Sequence, residues 1–339
     1  MKNHHYEVKE LPPGSVDPNV LYCLRERDTL DPREKTESEG QSDWLTYLRD
    51  SMGFPNLNLN TKEIITAFES FDVPGGKVGL WRYQRRRSPS SPKPALIYFH
   101  GGAWIGGSTT TVENQLKLIA ELSGAVVFNV DYSLAPEKPY PQALNDCYFA
   151  VTHIHDSAAC YGVDPMRIAV GGDSAGGNLA AAAALKARDQ GERLIREQIL
   201  LYPALALGGA KREGYRWIDY SSQVDPRHYE DVKYFLSLGN PAETIPNSYL
   251  SDPAQENDPY VSPILAESFT ALPEALIVTA EFDGLRSQAN FYAKLLKDDG
   301  VPVRVLHYKG CCHAFFDYLG YVPQVEELCS KIAEELNGY

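Results

Sequence analysis

Gly172-Asp173-Ser174-Ala175-Gly176 sets one serine hydroxyl among small residues. The apolar run Ile168-Ala169-Val170-Gly171 leads into it and the alanine-rich stretch Leu179 to Ala187 leads out. That order predicts a strand, a sharp turn and a helix, with Ser174 at the apex. Small residues at minus two and plus two let such a turn close, and the strained apex holds the hydroxyl out as a nucleophile. Ala175 then offers a backbone N–H at a helix start, where developing negative charge is stabilised. The competing reading is a serine N-cap on a buried helix.

Other residues favour the chemical reading. His100-Gly101-Gly102-Ala103-Trp104 ends the apolar run Ala95 to Phe99 and continues into Ile105-Gly106-Gly107. A tight turn there can aim consecutive N–H groups at one point, as an oxyanion requires, although a flexible glycine turn would read the same way. A serine nucleophile also needs a base and an acid, and in α/β-hydrolase folds they follow it in the order acid, then histidine. Of the eight histidines, only His228, His307 and His313 follow Ser174. His307 falls inside the alternating run Val301 to Tyr308, and His228 in a polar, tyrosine-rich stretch. His313 follows the last strand in the expected loop Lys309-Gly310-Cys311-Cys312 and is the candidate base. Among the acids, Asp189, Asp219, Asp225, Asp231, Asp252, Asp258, Asp298, Asp299 and Asp317 compete with Asp283. Only Asp283 comes straight after a long apolar strand, Ala275 to Ala280, at the carboxyl edge where open α/β sheets bind ligands. Glu281 is the second choice, two residues earlier and expected to lie buried below the rim.

These residues need a sheet to carry them. Apolar strands are predicted near 95–100, 125–130, 168–171, 198–202, 275–281 and 302–308. Helical stretches are predicted near 111–122, 141–158, 176–189, 287–298 and 322–337. The alternation predicts an α/β fold with a mostly parallel central sheet flanked by helices. Glu69 to Tyr83 reads as a hairpin turning at Pro74-Gly75-Gly76, Arg85 to Pro92 as an exposed loop, and Ser42 to Met52 as a helix.

Taken in order, these blocks resemble the hormone-sensitive-lipase family of α/β-hydrolases, the bacterial family IV carboxylesterases, over roughly residues 70 to 339. His100 to Trp104 is similar to the family's His-Gly-Gly-Gly block, and Asp131-Tyr132-Ser133-Leu134-Ala135-Pro136-Glu137 to its Asp-Tyr-x-Leu-Ala-Pro-Glu block. Gly172 to Gly177 resembles its Gly-Asp-Ser-Ala-Gly-Gly elbow, and Asp258 to Leu265 its Asp-Pro-Tyr-x-Ser-Pro segment. The resemblance implies Ser174 as nucleophile, Asp283 as acid and His313 as base. It also implies an oxyanion hole from the N–H groups of Gly102, Ala103 and Ala175, with Gly101 permitting the tight approach. Two departures stand out. Ala103 replaces the third glycine and tolerates fewer backbone conformations. Asp283-Gly284-Leu285-Arg286-Ser287 replaces Asp-Pro-Leu-x-Asp and lacks the second acid. The family also implies a cap, here residues 1–60 with an insertion at about 205–262, over a catalytic domain spanning 61–339. Tyr215, Trp217, Tyr220, Tyr229, Tyr234 and Tyr260 would line its pocket or pack cap against core.

The expected chemistry is hydrolysis of small or short-acyl esters through an acyl-enzyme, with no cofactor and no metal. An amidase or formamidase is the alternative, because His-Gly-Gly-x-Trp also resembles the oxyanion block of kynurenine formamidases; Asn178 and the long N-terminal segment argue against it. A non-catalytic receptor is a third reading, disfavoured because His313 is present. A net charge of −13 excludes a phosphate-binding face and so a nucleic-acid partner. No stretch is apolar enough for a membrane span, Met1 to Glu10 lacks a signal-peptide core, and the chain is expected to be cytoplasmic. A homodimer is left open. Six cysteines in a chain of 339 residues read as reduced thiols. Cys311 and Cys312, beside His313, are expected to make activity sensitive to bulky thiol reagents.

Overall fold

The computed structural model describes residues 11–30, 41–74, 76–86, 92–241 and 248–338, with side chains from residue 44 in the second of these stretches. Eight strands form one sheet: β1 (Ile64–Val73), β2 (Gly76–Arg85), β3 (Lys93–Phe99), β4 (Val126–Asp131), β5 (Val163–Asp173), β6 (Glu197–Leu201), β7 (Glu274–Phe282) and β8 (Val303–Cys312). Their spatial order is β1-β2-β4-β3-β5-β6-β7-β8. The β1/β2 and β2/β4 ladders are antiparallel and the remaining five are parallel.

The helices are α1 (Pro18–Arg25), α2 (Arg27–Leu30), α3 (Gln41–Ser51), α4 (Glu113–Ser123), α5 (Gln142–Asp156), α6 (Ala158–Tyr161), α7 (Ala175–Asp189), α8 (Tyr229–Ser237), α9 (Arg286–Asp298) and α10 (Pro323–Asn337). Side chains of β3 point alternately to two cores. Ile97 and Phe99 join the core under α5, α7 and α9, while Leu96 and Tyr98 join the one under α4 and α10. Covering both faces explains why the inner strands read as unbroken apolar runs. The alanines of α7, Ala180 to Ala184, are buried, and their small side chains let this helix lie close on the sheet.

The N-terminal hairpin is longer than its apolar pattern suggests. It begins at Ile64 and runs to Arg85, because antiparallel pairing continues from Ile64↔Arg85 to Val73↔Gly76 although β1 is mostly half-exposed or exposed. Gly75 of its expected turn, residues 87–91 of the expected loop, Met1 to Glu10, and residues 242–247 of the expected insertion lie outside the described residues. Arg85 belongs to the strand, and its guanidinium donates to the carbonyls of Glu121 and Leu122 at the end of α4. Another difference falls before His313. The expected loop Lys309 to Cys312 is strand, because β8 continues past Gly310, whose N–H donates to the Glu281 carboxylate at 2.7 Å and whose carbonyl accepts from Asp17 N at 2.9 Å.

Candidate active site

The carboxyl edge of the sheet brings four segments together. Ser174 follows β5, Asp283 follows β7, His313 follows β8, and the loop from His100 follows β3. Ser174 has φ 54° and ψ −115°, outside the helical and extended regions, as a nucleophile at a strained apex requires. The flanking glycines are needed for contact. A methyl on Gly176 would lie 1.9 Å from the Phe99 carbonyl oxygen, and one on Gly172 would lie 2.3 Å from the Gly176 carbonyl carbon. The elbow is also tied to its neighbour strand, since Ser174 N donates to Leu201 O at 2.9 Å.

Three of the sequence candidates form one continuous chain of hydrogen bonds. His313 Nδ1 lies 2.8 Å from Asp283 Oδ2 and its Nε2 lies 2.9 Å from Ser174 Oγ. An ionised carboxylate only accepts, so Nδ1 carries the proton and Nε2 accepts from the serine hydroxyl. Asp283 has no exposed surface and His313 is 8% exposed. Burial by itself would lower the His313 pKa. The Asp283 charge and hydrogen bond, with Asp173 and Asp317 behind them, outweigh that and leave it above its ordinary value. His228 and His307 lie elsewhere: His228 Nδ1 accepts from Val16 N at 3.1 Å, and His307 Nδ1 lies 3.0 Å from Thr279 Oγ1. Glu281, the second choice for the acid, is half-buried and spends its carboxylate on Gly310 N.

The departures around Asp283 have a packing cause. Gly284 N donates to Phe235 O of α8 at 2.9 Å, a bond proline could not make. A methyl on Gly284 would meet Leu238 O at 2.2 Å, so α8 docks where only glycine fits. The other oxygen of Asp283 accepts from Leu285 N at 2.8 Å, and Ser287 Oγ donates to Gly284 O at 3.1 Å. The turn is thus bonded without a second acid.

The glycine-rich loop sits beside the elbow. The N–H groups of Gly102, Ala103 and Ala175 make no hydrogen bond among the described residues. Gly101 differs, because its N–H donates to Asp173 Oδ1 at 3.0 Å. Ala103 takes φ 53° and Trp104 φ 62°, so alanine occupies a left-handed position that glycine would fill without strain. His100 anchors the loop from below. Its ring stacks on Tyr132 at 4.4 Å, its Nδ1 lies 2.8 Å from Gly101 O, and burial pushes its pKa down to about 4.

Several contributors went unnoticed in the sequence. Asp173, inside the elbow pentapeptide, is buried and accepts from Tyr98 Oη and Gly101 N; burial pushes its pKa up to about 6. Tyr202 sets its ring edge-on to His313 at 4.8 Å. Arg49 of α3 donates to Ile105 O and Ala135 O and pairs with Glu137, joining the loop to the Asp131 to Glu137 block. Position beside the serine was a usable signal for Asp173. For Tyr202 and Arg49 the sequence carried none.

Above Ser174 and His313 opens a cavity of about 440 Å³ with mostly apolar walls. Ala103, Trp104 and Ile105 form one side, and Leu207, Leu238, Tyr249 and Leu250, between β6 and β7, form much of the rest. Of the two roles expected for the six aromatics, packing outweighs lining. Of the six aromatics, only Tyr234 borders the cavity. Tyr215 packs on Phe291, Trp217 donates to Leu238 O, Tyr220 lies under Arg286, Tyr260 donates to Asp189, and Tyr229 is partly exposed. Tyr249, alone in a polar stretch, takes their place and stacks on Trp104 at 4.6 Å. Asn178 Nδ2 donates to Ala204 O and Val261 O, fastening both ends of that segment. Cys311 and Cys312 have no exposed surface and burial raises both thiols, so a bulky reagent does not reach them in the folded chain.

The chain belongs to the alpha/beta hydrolase fold family, whose model matches residues 96–317, and within it to the hormone-sensitive-lipase-like branch. An arylesterase of Saccharolobus solfataricus is 36% identical over 65% of this chain and 67% of its own length. Esterase LipI of Mycobacterium tuberculosis is 33% identical over 77% of this chain and 78% of its own. Among solved structures, the hyperthermophilic esterase of Pyrobaculum calidifontis matches with a TM-score of 0.72 and 31% identity, covering 96% of this chain and 98% of its own. These relatives favour neither an amidase nor a receptor. Among the described residues no helix is long and apolar enough to cross a membrane.

Proposed function

We propose that this carboxylic ester hydrolase cleaves small or short-acyl esters through an acyl-enzyme on Ser174, with His313 as base and Asp283 as its orienting acid. The observation that carries the reading is the unbroken series Ser174 Oγ, His313 Nε2, His313 Nδ1, Asp283 Oδ2, with steps of 2.9 and 2.8 Å, beneath an apolar cavity. His313 takes the serine proton as Oγ attacks the carbonyl carbon, then returns it to the departing alcohol. Water attacks the acyl carbon as His313 takes its proton, and the bond to Oγ then breaks as His313 returns that proton to Ser174, releasing the acid. The carbonyl oxygen, negative in each tetrahedral intermediate, takes hydrogen bonds from Gly102, Ala103 and Ala175. Gly101 serves as a spacer, its N–H holding the loop to Asp173. Residues 205–262, with the N-terminal segment to residue 60, act as the cap that limits acyl length.

The test is steady-state hydrolysis of p-nitrophenyl esters from acetate to dodecanoate, with Ser174→Ala alongside. A short-chain optimum lost in the variant is the expected result. Turnover that survives the substitution, or a rate rising to dodecanoate, would overturn the reading.

A further inference from the structure

One wall of the cavity carries a charge that the ester chemistry does not use. Glu256, in the short 3-10 helix Pro253–Asn257, borders the same cavity as Ser174 and His313. Its Oε2 accepts from Gly209 N at 3.1 Å, and Gly208, at φ 53°, leaves room for the carboxylate, since a methyl there would lie 2.0 Å from Oε2. Oε1 makes no hydrogen bond among the described residues. Among the described lining residues there is no lysine or arginine, and Ser237, Asn240 and Ser248, which line the same cavity, carry no charge. A half-buried carboxylate fixed by one backbone N–H, in mostly apolar surroundings without a counter-cation, attracts positive charge more strongly than the same group in water.

We infer that Glu256 is a specificity determinant, favouring esters with a positive charge remote from the scissile bond and disfavouring those with a carboxylate there. This rests on the proposed ester hydrolysis in the same cavity. An ammonium group would approach Oε1 with the apolar walls covering its alkyl substituents, whereas a carboxylate would meet like charge. Where cavity and carboxylate meet does not decide whether the charge lies in the acyl or the alcohol part, so both are probed.

The experiment compares shape-matched pairs that differ only in charge. On the alcohol side these are butyrylcholine and 3,3-dimethylbutyl butyrate; on the acyl side, the p-nitrophenyl esters of 4-(trimethylammonio)butyrate and 5,5-dimethylhexanoate. Glu256→Gln keeps an acceptor for Gly209 N and removes the charge. On at least one side the cation-to-neutral ratio of kcat/KM should fall about tenfold in the variant, mainly through KM, while the neutral ester changes less than about twofold. A purely structural role would move both members of a pair together. Unchanged ratios on both sides, or equal loss for both members, would overturn the inference. Loss of the ester reading itself would show separately, as neutral-ester turnover that Ser174→Ala leaves intact.

Discussion

The floor and the roof of the cavity are held by different forces. At the floor, Ser174, Asp283 and His313 each directly follow a strand, β5, β7 and β8, so the sheet ladder fixes their spacing. The His313–Asp283 bond is buried and charge-assisted, and neighbouring backbone leaves no room for a methyl at Gly172 or Gly176. The roof's ties to the N-terminal segment are less buried. Val16 N donates to His228, Asp225 N to Gly14 O, and Arg25 of α1 reaches Asp231 of α8 with a guanidinium half in solvent. The floor is built to keep one geometry. Under the proposed function, a roof fastened separately can vary while the floor keeps one chemistry.

The sharpest way to break this division is to remove the floor's proposed reacting atoms. Ser174→Ala should lower kcat about a millionfold and Asp283→Asn about ten-thousandfold, each with little change in KM for a neutral ester. Single-turnover and steady-state assays on p-nitrophenyl butyrate read both. A loss confined to KM would mean that these residues bind rather than react.

Next in size is the elbow itself. Gly176→Ala drives a methyl to 1.9 Å from Phe99 O, a backbone atom that cannot swing aside. Unfolding stability should fall by about 3 to 5 kcal/mol, near the top of the range for single substitutions. Urea midpoints measure it, and a midpoint near wild type would show that the strand end yields.

How much of this was legible in the sequence follows the same line. The floor was readable because Ser174 and Asp283 follow apolar runs and His313 follows an alternating one, and a run that feeds a turn is a local signal. Hydrogen bonds bring Ser174, Asp283 and His313 together at the carboxyl edge of the sheet, which is the geometry the proposed roles need. The strand before His313 was read too short because Gly310 and Lys309 look like a turn, while the bonds that keep it extended come from Glu281 and Asp17, far away in sequence. The roof was less readable. Its aromatics follow no period, so composition could not say that Tyr249 would border the cavity while Tyr215, Trp217, Tyr220 and Tyr260 turned elsewhere. Asp173 lay in plain view but required knowing that Gly101 would fold back upon it.

A pH profile sharpens the comparison further, because it reads the floor's electrostatics alone. The proposed reaction needs neutral His313, whose pKa is raised above the ordinary value of about 6.5. The acid limb of kcat/KM should therefore have its midpoint above pH 6.5, with activity falling as pH drops through it. Asp283→Asn removes the charge that outweighs burial, so the limb of its residual activity should move to lower pH. Glu256→Gln, on the roof side, should leave the limb for a neutral ester where it is. A limb that ignores Asp283 but follows Glu256 would reverse the roles assigned to floor and roof.

The smallest expected effect tests the roof's fastening. Arg25 Nε and Nη2 donate to the two oxygens of Asp231 at 2.9 and 2.7 Å, tying the N-terminal helix to α8, whose end borders both the cavity and the Asp283 turn. The guanidinium is 52% exposed, so water and salt weaken the pair. Arg25→Ala should barely move the thermal midpoint. It should raise KM by at most about fivefold with kcat preserved, the scale of an exposed ion pair. Half-molar salt should reproduce much of that change in the wild-type enzyme and add little in the variant. A large fall in kcat would instead mean that α8 transmits the N-terminal helix directly to Asp283 through Gly284 and Phe235, so that floor and roof form one mechanical unit.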